Sequence, residues 1–359
     1  MEKRNSNIEL LRIMAMFMII GYHYVVHGHF AAGGLLNTTI LDILSMGGKI
    51  GVSLFCIIMG YFGANSKSIN FQKLLFTELQ VLFYSYLGFG CALLFIPNAI
   101  TLKTLANTFF PIVTEHYWFF TAYIIVFCFS KFANRFLEQL NKIDFIKLLV
   151  LCYIIWAVIP FFTVRENSGM FWNQLIWFFV MYVSGFYLNK YPLRIKIKTH
   201  ILIVCLNILF LVASFILLEV FAQKYSIIKN HTTYFRWSNS PFVILGSISM
   251  FEIAVLIKRK SIGLINFVAS GVFGIYLFHE NVFIRLLLWE RIFDGANISS
   301  GLVLIGHATL AVLLIFCAGM IVELLRKQIE RLLNRIINMA GMRSHIFIER
   351  FIETIERNI

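Results

Sequence analysis

Near the N-terminus, the residues able to do chemistry are Glu9, Arg12 and His23, with His27 and His29 just beyond. A guanidinium binds anions, a carboxylate orients it, and an imidazole takes or gives a proton near neutral pH. All three lie in one apolar run, Glu9-Leu-Leu-Arg12-Ile-Met-Ala15-Met-Phe-Met-Ile-Ile-Gly-Tyr-His23, which reads as a membrane helix. On a helix, residues eleven apart differ by about 20° in direction and about 16 Å along the axis, so Arg12 and His23 face the same way at different depths. Glu9, Met16, Ile19 and His27 share that side. For Arg12 the simpler alternative is a side chain snorkelling to the boundary and paired with Glu9 at i,i+3. For His23 it is a neutral, satisfied interior imidazole. His23 and His27 at i,i+4, followed by His29, raise a metal as a rival, but no carboxylate or cysteine with ligand spacing joins them, and no metal is expected.

Two later stretches carry similar groups. One is Gly274-Ile-Tyr276-Leu-Phe-His279-Glu280-Asn281, the other Glu115-His116-Tyr117-Trp118-Phe119. An aromatic belt at the membrane boundary accounts for Tyr117 and Trp118, while Glu115 and His116 add groups that transfer protons. Glu78, Glu219, Glu252 and Glu323 fall near the ends of apolar runs and read as interface residues. Gly47-Gly48-Lys49-Ile-Gly51 lacks the spacing of a phosphate-binding Walker loop. The cysteines, Cys56, Cys91, Cys128, Cys152, Cys205 and Cys317, all sit in apolar runs without paired or CxxC spacing, which argues against a disulfide framework or a metal cluster.

The elements that must position these groups follow from composition. Of 359 residues, 59% are hydrophobic and 14% charged, with a mean hydropathy of +0.80, beyond what a soluble domain of this length tolerates. The fold class is all-α, a polytopic membrane helical bundle. About ten stretches are long enough to cross a bilayer: 8–27, 43–63, 74–96, 117–135, 146–164, 171–189, 200–221, 241–257, 264–287 and 301–325. With the N-terminus inside, Lys and Arg favour the inner segments by roughly three to one, which predicts both termini cytoplasmic. Lys258-Arg259-Lys260 then precedes the ninth stretch, so His279 reaches nearly the depth of His23. The formal charge of +13 is explained by this topology and by anionic lipid headgroups, and no nucleic acid is expected. A cleavable signal peptide after Lys3-Arg4, ending near Ala31-Ala32-Gly33, is the alternative for the first stretch, but signal peptides have no reason to carry Glu9, Arg12 and His23. Two units follow: 1–325, embedded in the lipid bilayer, and 326–359, a basic tail in which Ile329, Leu332, Leu333, Ile336 and Ile337 recur at the spacing of an amphipathic helix on the inner surface.

The run Glu9-x-x-Arg12-x-x-Ala15-x-x-x-Ile19-x-x-x-His23 resembles the opening signature of the integral-membrane acyltransferase-3 family. Gly51-Val52-Ser53-Leu54-Phe55 through Gly60-Tyr61-Phe62 is similar to that family's second-span pattern. His116-Tyr117-Trp118-Phe119 resembles its His-x-Trp-Phe element, and Gly274-Ile-Tyr276-Leu-Phe-His279 its late Tyr-Leu-x-His. The four occur in family order and cover nearly the whole chain. Met59 departs from the usual small hydroxyl residue, and the basic cluster after the second span is reduced to Lys67 and Lys73 with Glu78. The resemblance implies a multi-pass enzyme of a bacterial cell membrane that moves an acyl group, usually acetyl from acetyl-CoA, to a hydroxyl of a lipid-linked or surface polysaccharide. It implies His23 as base or acyl relay, with Glu9 and His279 in the catalytic set. Arg12 and Lys73 fall on the donor side, and His116, Trp118 and Tyr276 on the acceptor side. A polysaccharide polymerase or flippase would need larger outer loops than 28–42 and 222–240, and a secondary transporter would need broken helices in paired halves.

Overall fold

The computed structural model describes residues 4–30, 34–66, 71–163, 173–298 and 300–339. Among these the chain is helical and contains no strand. In order the helices are α1 (Ser6–His27), α2 (Leu35–Ser45), α3 (Gly48–Gly63), α4 (Phe71–Phe95), α5 (Leu102–Phe109), α6 (Trp118–Gln139), α7 (Lys142–Tyr153) and α8 (Ile159–Phe162). The rest are α9 (Gln174–Lys190), α10 (Ile197–Lys224), α11 (Pro241–Leu256), α12 (Gly263–Ala269), α13 (Val272–Glu280), α14 (Val282–Leu286) and α15 (Gly301–Met339).

Eight helical stretches are long and apolar enough to cross a membrane. They fall on eight of the ten predicted stretches; the other two are occupied by the shorter α9 and α11. This is a multi-pass membrane protein. Its outside is apolar, as lipid requires: α10 exposes Leu202, Leu206, Leu209, Leu217 and Phe221. By contrast α9 is buried along most of its length, from Trp177 to Leu188, and packs on α3 as the centre of the bundle. That contact depends on two glycines. A Cβ at Gly60 would meet the Tyr182 carbonyl oxygen, and one at Gly185 the Ile57 carbonyl oxygen. Where lipid offers no hydrophobic drive between helices, such close backbone approach supplies the packing energy. Gly51 performs the same task between α3 and α1, facing the Ala15 carbonyl.

Three elements differ from their sequence reading. The stretch 28–42, expected as an outer loop, is helical from Leu35, and α2 turns a polar side inward (Asn37, Thr39, Asp42, Ser45) while Leu36 faces out. The ninth stretch, expected as one helix over 264–287, is broken twice. It turns at Ser270-Gly271, and again at Asn281, whose extended backbone ends α13 and whose side chain accepts the Phe283 and Ile284 amides to start α14. The last helix does not stop at 325. Arg326 pairs with Glu323 and Glu330 at 2.9 Å each, and α15 runs on to Met339; residues 340–359 of the expected tail lie outside the described residues.

Candidate functional site

The site is built where α1 meets the broken ninth stretch. Asn5 caps α1 by accepting the Asn7 amide. Ser6 ties this end of the helix to the start of α12, donating to Asn266 Oδ1 within it (2.8 Å) and accepting the amide of Ile262 just before it (2.7 Å). The Asn7 side chain donates to the Ile257 and Lys258 carbonyls. With the Arg12 end held in this way, α1 and α12–α13 run side by side, and their histidines meet at the far end.

His23 Nδ1 lies 3.1 Å from His279 Nε2, and His279 Nδ1 lies 2.7 Å from the Ile275 carbonyl oxygen. A carbonyl can only accept, so His279 Nδ1 carries a proton and its Nε2 offers a lone pair. His23 Nδ1 is then the donor of the pair, which leaves His23 Nε2 as a proton acceptor. Glu280 joins them. Its Oε1 is 3.0 Å from His23 Nδ1 and 4.0 Å from His27 Nε2, close in distance but out of line for a hydrogen bond, so that this buried oxygen has no hydrogen-bond partner. The arrangement suits a base whose cationic form is stabilised by an adjacent carboxylate. The ligand atoms of His23, His279 and Glu280 also lie within 4.8 Å of one another, compact enough for a divalent ion. His279 and Glu280 thus take the places that spacing had offered to His27 and His29.

A cavity of about 430 Å³ runs from this pair towards the other end of α1. Its walls include Arg12 and Lys73 towards one end of α1 and His23 and Tyr276 towards the other, together with Trp118 and Phe119. Arg12 leans on Glu9 (3.3 Å) and lies over the Phe62 ring, 5.9 Å from its centroid. Lys73, on α4, stands within electrostatic reach of Arg12 and of Arg4 just before α1, and of these three Arg12 and Lys73 line the cavity. The Tyr276 hydroxyl is buried beside the first turn of α6, at Phe119 and Phe120, without a well-formed hydrogen bond.

His116 takes a different place from the pair. Glu115, at φ 53, turns the chain in the left-handed region just before α6, and His116 packs edge-on against Tyr117. Asn281 holds this corner together, donating to Tyr117 Oη (2.9 Å) and the Tyr84 carbonyl (3.1 Å), with His116 Nε2 at 3.4 Å. Of the residues singled out by sequence, His23 and His279 touch each other, Arg12 and Lys73 share the cavity with Trp118 and Tyr276, Glu9 orients Arg12, and His116 is linked through Asn281. The sequence motif by itself assigns no role to Glu280 and Asn281. Their signal was two polar side chains directly after His279 inside an apolar stretch.

A protein-family model described as "Acyltransferase domain" (Acyl_transf_3) matches residues 5–325. No curated protein and no solved structure matches the chain.

Proposed function

Since the chain belongs to the acyltransferase-3 family and is thereby a membrane acyltransferase, we propose that it moves an acetyl group from acetyl-CoA to a hydroxyl of a cell-surface or exported carbohydrate, in a bacterial cell membrane. The observation that supports this reading is the single cavity linking the Arg12–Lys73 mouth to His23 and Tyr276. Cations at the mouth fit the phosphates of a nucleotide carrier. Between the ends of α1 that carry Arg12 and His23 the axis covers about 16 Å, a span comparable to a pantetheine arm. The apolar walls suit such an arm, and the donor supplies an acyl group already activated as a thioester.

The chain's own residues then have separable tasks. His23 Nε2 takes the proton of the acceptor hydroxyl as its oxygen bonds to the thioester carbon, and returns it to the thiolate released when the C–S bond breaks; Nδ1 is held by His279, whose orientation the Ile275 carbonyl sets. Glu280 stabilises the imidazolium that forms. The Tyr276 hydroxyl, without a well-formed hydrogen bond of its own, donates to the developing oxyanion. Arg12, oriented by Glu9, and Lys73 bind the donor; Trp118 and His116 belong to the acceptor side. His23→Ala should lower acetylation by at least about a thousandfold, the scale of losing a general base together with its positioning. Mass spectrometry of surface glycans from cells with wild-type or variant protein, matched for membrane insertion, checks this; acetylation retained in the variant removes His23 from the chemistry.

A further inference from the structure

Three cations near the histidine pair, at the end of α1 away from Arg12, take no part in the mechanism above. Lys49 lies in the first turn of α3, and its ammonium stands 5.2 Å from the centroid of the Tyr22 ring. The Arg236 guanidinium covers the same ring at 5.1 Å, and that ring is 5.6 Å from the ring of His23. Arg285, in α14 just past the Asn281 break, is within electrostatic reach of His23, His27 and His116 together, and Lys49 is within reach of His23. Arg236 has counter-charges: Asp42 lies against it, and Glu219 lies against Asp42 while accepting from Thr38 at 3.0 Å. Lys49 and Arg285, both only partly exposed, make no hydrogen bond or ion pair to another described residue.

Two such cations beside a base are unfavourable for its chemistry, since both oppose the positive charge that His23 acquires when it takes a proton. Glu280 offsets one of them. Both cations fall within stretches read as membrane-spanning, 43–63 and 264–287, where charged side chains are retained if they have a partner or a substrate to meet. We propose that Lys49 and Arg285 form an anion subsite that holds the acceptor by a phosphate or carboxylate group close to the hydroxyl to be acylated. The acceptor is then an anionic carbohydrate. The inference rests on the acyltransferase reading above and adds the class of acceptor to it. A sugar phosphate, as in a lipid-linked precursor, and a uronic acid in a polymer share this chemistry. Either one neutralises the two cations as it brings its hydroxyl to His23, so that the base becomes effective when the acceptor is seated.

The test measures binding of glucose 1-phosphate, methyl glucuronide and neutral methyl glucoside to the full-length protein in detergent, with acetyl-CoA titrated separately. At least one charged probe should bind about tenfold more tightly than the neutral one, and more weakly as salt rises. Lys49→Gln and Arg285→Gln should each cost about tenfold in that affinity and leave acetyl-CoA binding unchanged, with Arg285→Lys retaining more than Arg285→Gln. Preference for glucose 1-phosphate identifies a phosphate-bearing acceptor, and preference for the glucuronide a uronic acid. Equal binding of charged and neutral probes, no binding of either charged probe, or affinities untouched by both Gln variants overturns the subsite. Failure of acetyl-CoA to bind the wild type counts against the donor assignment instead, and is read in its own titration.

Discussion

At the residue scale, Glu280 gives the two histidines a direction. A pair of imidazoles alone can pass a proton either way, whereas a buried carboxylate oxygen stands 3.0 Å from Nδ1 of one of them, His23, as the third member of a base–carboxylate arrangement. The expected consequence is that Glu280→Gln, nearly isosteric, lowers kcat by about 10²- to 10⁴-fold with little change in KM for the donor, because the lost interaction exists mainly in the transition state. Steady-state kinetics of the purified variant check this, and a rise in KM at unchanged kcat would place Glu280 in donor binding instead. His23 and His279 stood out as candidates because an ionisable group inside an apolar run is costly unless it serves a purpose, whereas Arg12 alone read as a snorkelling side chain and Tyr276 was marked only by the family-like motif. Glu280 was harder to assign. It stands next to His279, and adjacency in a helix points side chains in different directions, so its approach to His23 depends on how α13 is seated against α1.

At the element scale, glycines and one asparagine place the helices. Gly60 and Gly185 let α3 and α9 touch through their backbones, and α3 in turn carries Gly51 against α1. Gly60→Leu should push the two helices apart and destabilise the protein by about 1–3 kcal/mol or more, seen as a lower thermal midpoint in detergent. An unchanged midpoint would show that the α3–α9 contact is not under packing stress. The family-like run from Gly51 to Gly60 therefore has a structural meaning that its spacing alone does not express. On the other side of the site, Asn281 ends α13, caps α14 and ties Tyr117 and the Tyr84 carbonyl to the same point. Averaged hydropathy does not register this break, because the stretch as a whole stays apolar despite His279 and Glu280, and Asn281 replaces the interrupted helix bonds with its own side chain.

At the scale of the whole molecule, the charge asymmetry predicts which end of the cavity meets the cytoplasm. With Lys258-Arg259-Lys260 inside and Lys229 outside, the expected orientation has the Arg12–Lys73 end of the cavity on the cytoplasmic face and the histidine pair towards the outer face, as the proposed donor and acceptor require. In a background without the native cysteines, Lys229→Cys should react with a membrane-impermeant maleimide on intact cells and Lys258→Cys only after permeabilisation; labelling of both from one side would refute this orientation. By itself the sequence determined the class of molecule, its apolar stretches and the stripe from Arg12 to His23. These rest on local properties: the length of an apolar run, the helical period, and the cost of polar groups in lipid. The tertiary structure alone decided which groups meet: His279 and Glu280 against His23, Lys73 beside Arg12, and Lys49 and Arg285 around the pair. The His23–His279 encounter alone joins residues 256 positions apart in the chain. Such encounters are set by helix crossings and by breaks such as Asn281, which no local period encodes.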